Sequence, residues 1–196
     1  MKSPIHLASL LGALSMLCAC GTLTDQEVNG VLLEMKANEA QVIYEPPAHC
    51  SPPGYRAVFH PGAGVVMTVM HGFGGGLAAR FRIELDSGST FAFGSASGRV
   101  FFPTGAPQKD VFISNTSWIR DSRTVRAVAS ADAVLTGRAP AGDRSVYEGD
   151  ISAYQVTAND FSLQLPDAVV NGNPFRFPPI HFSGRQFRYV QEACLR

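Results

Sequence analysis

The sequence predicts an all-β fold: an antiparallel β-sandwich with room for one short N-terminal helix, with a closed β-barrel as the alternative arrangement. Three observations predict it. Apolar and polar residues alternate over short runs, the periodicity of half-buried strands. Turn signals recur roughly every eight to twelve residues, the spacing of sandwiches and barrels. No strand–helix alternation is sustained, which disfavours a doubly wound nucleotide-binding fold. The 196 residues are 45% hydrophobic and 16% charged, enough apolar matter for a sizeable core and too little charge for a disordered chain. Sixteen Lys and Arg balance sixteen Asp and Glu. A nucleic-acid binder would need a large basic excess, so that class is disfavoured.

Taken in order, residues 1–19 are an address. Lys2 precedes a mostly apolar run from Ile5 to Leu17. Such a run suits an export signal and is too short for a bilayer span, which needs about 20 apolar residues. His6 lies inside it and leaves with it. Leu17-Cys18-Ala19-Cys20 ends the segment. This motif resembles the lipobox of bacterial lipoproteins, in which a Leu and a small residue precede an obligatory Cys. The resemblance covers the signal region alone. It implies cleavage before Cys20, lipid (palmitate among it) on the Cys20 sulfur and amine, and an outer-membrane site in a Gram-negative envelope. Gly21, where inner-membrane lipoproteins usually carry Asp, implies that destination on the periplasmic face. Two or more acyl chains hold a protein stably where one does not. Losing residues 1–19 leaves 177 residues and removes Lys2, for a net charge of −1.

Residues 20–40 read as the lipidated Cys, a tether and an element open to two readings. Thr24 and Glu27 resemble a capping box, and Val28, Val31, Leu32 and Met35 fall at helical spacing. Val31, Leu33 and Met35 fit an alternating strand equally well, and Gly30 weakens a helix. Residues 41–196 form one β domain. Four prolines between Glu45 and Gly54 make a stiff loop that presents Cys50. Beyond it, Phe81, Ile83 and Leu85 alternate with Arg80, Arg82, Glu84 and Asp86. Ser87-Gly88 is a turn signal before Thr90–Phe93, so a hairpin is expected there. Further strand-like runs are 65–70, 100–102, 111–113, 124–129 and 161–165, and Phe175, Phe177, Phe182, Phe187 and Tyr189 mark the C-terminal strands.

Cysteine fate follows from the address. Cys18 is discarded and Cys20 lipidated, leaving Cys50 and Cys194 in an oxidising compartment. No Cys-x-x-Cys exists, so a structural disulfide between them is expected rather than a redox or metal pair. A loop of more than about 100 residues gives roughly 4–5 kcal/mol in the chain-entropy account.

Candidate chemistry is sparse. His71-Gly72-Phe73-Gly74-Gly75-Gly76 is a Gly-rich loop, but it leads into a strand and lacks a Gly-Lys-Ser/Thr ending. It reads as a turn able to contribute a binding surface, not a phosphate cradle. His49, His60, His71 and His181 show no ligand-pair spacing, so no metal site and no cofactor is expected. Gly94-Ser-Ala-Ser-Gly98 has Ala96 where a nucleophile elbow needs Ser. Glu84 and Asp86 read as solvated charges, and Trp118 as a core residue. Asn115-Thr-Ser117 matches a glycosylation acceptor that a bacterial lipoprotein would ordinarily ignore. Arginine outnumbers lysine, and Arg176, Arg185 and Arg188 interleave with aromatics as in an amphipathic strand.

The expected function is a non-catalytic, outer-membrane-anchored β domain that binds or scaffolds another envelope component, protein or polymer, through loops at one end. The alternatives are an envelope hydrolase built on His60 or His71 and a barrel carrying a small ligand.

Overall fold

The computed structural model describes residues 23–46, 54–71, 78–114, 117–120, 123–127, 130, 132–152 and 160–192. The fold is all-β. In chain order the strands are β1 (Leu23–Glu34), β2 (Gln41–Glu45), β3 (Gly54–Gly62), β4 (Val65–His71), β5 (Ala78–Leu85), β6 (Thr90–Phe93), β7 (Ser97–Phe101) and β8 (Lys109–Ile113). There follow β9 (Ser117–Arg120), β10 (Arg123–Ala127), β11 (Leu135–Thr136), β12 (Ser145–Ser152), β13 (Phe161–Gln164), β14 (Ala168–Val170), β15 (Asn173–Phe175) and β16 (Ile180–Glu192).

Ten strands follow one another as β1-β16-β13-β7-β8-β12-β5-β4-β3-β2, every pair antiparallel. The path curls until β1 lies against β3, nearly closing a barrel. A hairpin of β9 and β10 extends beside β12. A second sheet, β11-β6-β14-β15, faces the large one. Two sheets thus share one core as in a sandwich, while the larger curls toward a barrel.

The alternation read from the sequence fills that core. Phe81, Ile83 and Leu85 of β5 are fully buried, as are Val65, Met67 and Val69 of β4. Phe91 and Phe93 of β6 meet them from the small sheet, and the Phe81 and Phe93 rings stand edge to face at 5.5 Å. Phe93 also contacts Phe91 at 4.9 Å and Phe177 at 6.3 Å, and Phe177 touches Phe59 of β3 at 5.3 Å. Edge-to-face rings of this kind add to the stabilisation that area burial supplies.

One open choice is resolved and one expectation is corrected. Residues 23–34 form a strand, not a helix or a slack tether. β1 pairs with β16 along its whole length, from Leu23 opposite Glu192 to Glu34 opposite His181. Tertiary pairing on that scale outweighs a marginal helix propensity interrupted by Gly30. The correction concerns Ser87-Gly88. The turn is there, with Gly88 at φ +80° and the Ser89 amide donating to the Asp86 carbonyl at 3.0 Å. It joins no hairpin: β5 pairs with β4 and β12, whereas β6 pairs with β11 and β14. The chain leaves one sheet and enters the other, where Phe91 and Phe93 are buried and the Phe93 ring meets Phe81 across the core.

This crossing brings residues 86–89 against Gly137. The Gly88 amide donates to the Gly137 carbonyl at 3.0 Å, and the Gly137 amide donates to the Ser89 carbonyl at 2.8 Å. A Cβ at position 137 would collide with the Asp86 carbonyl oxygen, which is backbone and cannot swing aside. Gly137→Ala is therefore expected to cost about 1–3 kcal/mol, read as a lower denaturation midpoint at unchanged slope.

Candidate functional site

Strand directions define two ends. At the lower end β1, β3, β5, β8 and β13 begin; at the upper end they finish. The upper end carries a shallow open depression lined by Ala63, Gly64, Asp86, Ser87, Ser89 and Asn171, among others. Three turns build it: β3–β4, β5–β6 and β14–β15.

Asn171 locks these turns together. Its side-chain oxygen accepts from the Thr90 amide at 2.8 Å, and its side-chain nitrogen donates to the Ala63 carbonyl at 2.9 Å. Its own amide donates to the Thr90 carbonyl at 3.0 Å. The backbone at Asn171 is left-handed, φ +50°, a conformation that Asn tolerates better than most residues. Gly64 needs its φ of +69° and its missing side chain as well, since a Cβ there would lie 3.1 Å from Asp86 Cβ. Asn171→Ala removes both side-chain bonds and keeps the left-handed φ. We expect a loss of about 1–2 kcal/mol, with faster hydrogen exchange at the Thr90 amide as the local readout.

The rim beside the depression is charged but paired. Arg144 Nε donates to Asp86 Oδ1 at 2.9 Å and its Nη1 to Glu84 Oε2 at 3.3 Å. The Asp86 hydrogen bond first, then that of Glu84, raises the Arg144 pKa above its ordinary value. Arg82 joins Glu84 at 2.9 Å and Glu148 at 3.3 Å. These side chains are a quarter to half exposed, so each pair stabilises by well under about 1 kcal/mol. Glu84 and Asp86 are therefore surface ion-pair members rather than an acid–base couple in a dry cleft, close to the sequence expectation.

What the site offers chemically is short-range polar contact. Ser87, Ser89 and Thr90 line the depression together with Asp86. Such groups suit a hydroxylated or amide-bearing ligand.

Register also assembles a pair that linear reading missed. Ser162 on β13 lies opposite His181 on β16, and Ser162 Oγ is 2.7 Å from His181 Nδ1. Glu34 on β1 lies opposite His181 from the other side, but its carboxylate accepts from Ser183 Oγ at 3.3 Å. A serine–imidazole contact is the first half of a nucleophile–base arrangement. Here it sits on an outward strand face, Ser162 half-buried and His181 exposed, and reads as a cross-strand hydrogen bond. No spacing rule could have found it, because the chain between them passes through the small sheet.

Among the other candidates, His60 is exposed on β3 and His71 ends β4 at the lower end, on different strands from His181. No group of three or more His, Cys, Asp or Glu able to hold a metal ion occurs among the described residues. Gly72, Phe73, Gly74, Gly75 and Gly76, His49, Cys20, Cys50 and Cys194 lie outside the described residues. β4 finishes and β5 starts at the lower end, while the depression is at the upper end. No family model, curated protein or solved structure matches this chain.

Proposed function

We propose that this chain is an envelope lipoprotein whose β domain, anchored at the outer membrane through Cys20, binds another envelope component at its upper end. Polarity of the topology carries the reading. β1 starts at Leu23, three residues after Cys20, at the end opposite the turn cluster around Asn171. A lipid at Cys20 would leave that cluster facing away from the bilayer. Confinement to a membrane surface raises effective concentration, so a shallow, polar site can serve with modest intrinsic affinity.

Packing favours this reading over a small-ligand carrier. Phe59, Phe81, Phe91, Phe177, Met67 and Ile151 are fully buried in the space a carrier would keep open. In the same envelope setting Cys50 and Cys194 pair as a disulfide. Cys50 lies between β2 and β3 in the chain and Cys194 follows Glu192 by two residues, and β2 and β16 both finish at the lower end.

Photo-crosslinking in intact envelopes tests the binding surface. A crosslinking residue in place of Ser87 is expected to give a discrete adduct, and one in place of Ala106, in the lower β7–β8 connection, to give none of that mass. Adducts from Ala106 alone would overturn the assignment. Cys20→Ser is expected to release the protein from the membrane fraction; continued processing and membrane association would remove the anchor.

A further inference from the structure

Alternation in the small sheet leaves an apolar row on its outer face. Phe91, Phe93, Leu135, Ala168 and Val170 are buried and point into the core. Alternating with them, Ala92 lies opposite Val169, and Val169 lies opposite Pro174. Val134 precedes β11 by one residue, and the register of β11 on β6 places it beside Ala92. Val134 is 69% exposed and Val169 44%, and Pro174 is exposed as well. The row crosses all four strands, about 14 Å at the usual strand spacing. Polar rows flank it on both sides. Above it Thr136 lies opposite Thr90, and Thr90 bonds to Asn171 through the backbone. Thr90 and Asn171 also line the depression, so the row and the depression share a border. Below it the Gly94 amide donates to the Asp167 carbonyl at 2.7 Å, and Arg176 Nε donates to Asp167 Oδ1 at 3.3 Å.

We infer that the component bound at the upper end is a protein, which lays one amphipathic segment along the row from Val134 to Pro174. The inference rests on the upper-end reading above and names the class of its partner. An apolar centre between polar rims is the anatomy of a protein–protein contact. A glycan would set hydroxyls against Val134 and Val169, where they lose water and gain no hydrogen bond. A second copy of this chain fits no better. Three rows on four strands make a face of roughly 200 Å², whereas a stable dimer needs about 800 Å² from each partner. A single segment does fit. Three alternate residues of a strand span about 14 Å, and helical residues at i, i+4 and i+7 span about 10 Å.

The flanks complete the fit. One polar border of the segment meets Thr90 and Thr136, and the other meets the exposed Asp167–Arg176 pair. A row this narrow gives modest affinity, which suits two components held in one envelope.

Photo-crosslinking in intact envelopes, read by mass spectrometry of the joined peptides, tests the row. A crosslinking residue replaces Val169 in one sample and Ser87 in another. Both are expected to join the same protein, and the Val169 probe to join a segment whose apolar residues recur at strand or helix spacing. With the probe at Ser87, Val134→Asp combined with Val169→Asp should cut the adduct by about tenfold or more. Phe112→Asp, 53% exposed on β8, should leave the adduct unchanged. Val134→Thr combined with Val169→Thr keeps the β-branched shape and should also cut the adduct, at an unchanged urea midpoint. That pair decides the matter if the aspartate pair unfolds the domain. A saccharide, or a peptide of this same chain, at the Val169 crosslink would overturn the inference. A Ser87 adduct with none from Val169, or one that neither double variant diminishes, overturns the row and leaves the upper-end site standing. No adduct from either probe overturns the upper-end reading and the row with it.

Discussion

Phe93→Ala is expected to lower the stability of the domain by about 3–5 kcal/mol. Phe93 is 2% exposed and is a ring through which the two sheets touch. It meets Phe81 of β5, Phe91 of its own strand and Phe177 ahead of β16. Truncation removes the transfer free energy of the ring and leaves a cavity that backbone hydrogen bonding on both sides keeps from collapsing. The same change at Phe112, which is 53% exposed on β8, should stay within about 0.5 kcal/mol. Urea denaturation of both variants checks the contrast. Equal losses would show that the small sheet does not share the core of the large one.

The second large effect concerns the proposed Cys50–Cys194 disulfide. Reduction, or Cys50→Ser with Cys194→Ser, is expected to cost roughly 4–5 kcal/mol, since the closed loop exceeds about 100 residues. A covalent link from Cys194, two residues after β16, to Cys50, between β2 and β3, would tie the ends of those strands together, and β1 pairs with β16 along its whole length. Reduced protein should therefore lose exchange protection in residues 23–32 before it loses it in β5. Two free thiols in the purified, unreduced mature protein would refute the pairing.

The two turn substitutions probe different contacts. Gly137→Ala tests where a turn meets a backbone; Asn171→Ala tests whether one amide holds three turns. Both perturb the upper end without entering the barrel core, so their effects should add to that of a distant lower-end change. An Asn171→Ala variant that kept its stability but lost the Ser87 crosslink would place the amide's importance in binding rather than folding.

The sequence by itself determined the all-β class and most strand positions. Period-two alternation records which side chains face the core, and Phe81, Ile83 and Leu85 are buried as that pattern requires. It also determined the turn at Ser87-Gly88, where Gly88 takes the left-handed backbone that glycine favours. Alternation says which face is apolar and nothing about which strand lies alongside, so partners were left to the tertiary structure. The hairpin expected of β5 and β6 became a crossing between sheets for that reason. The helix-or-strand choice at 23–34 was settled by a partner some 150 residues away, information that no local window contains. The depression and the Ser162–His181 contact likewise exist only through register and converging turns. Local chemistry fixes what each segment can be; long-range pairing decides what it stands beside, and a binding site is made of neighbours.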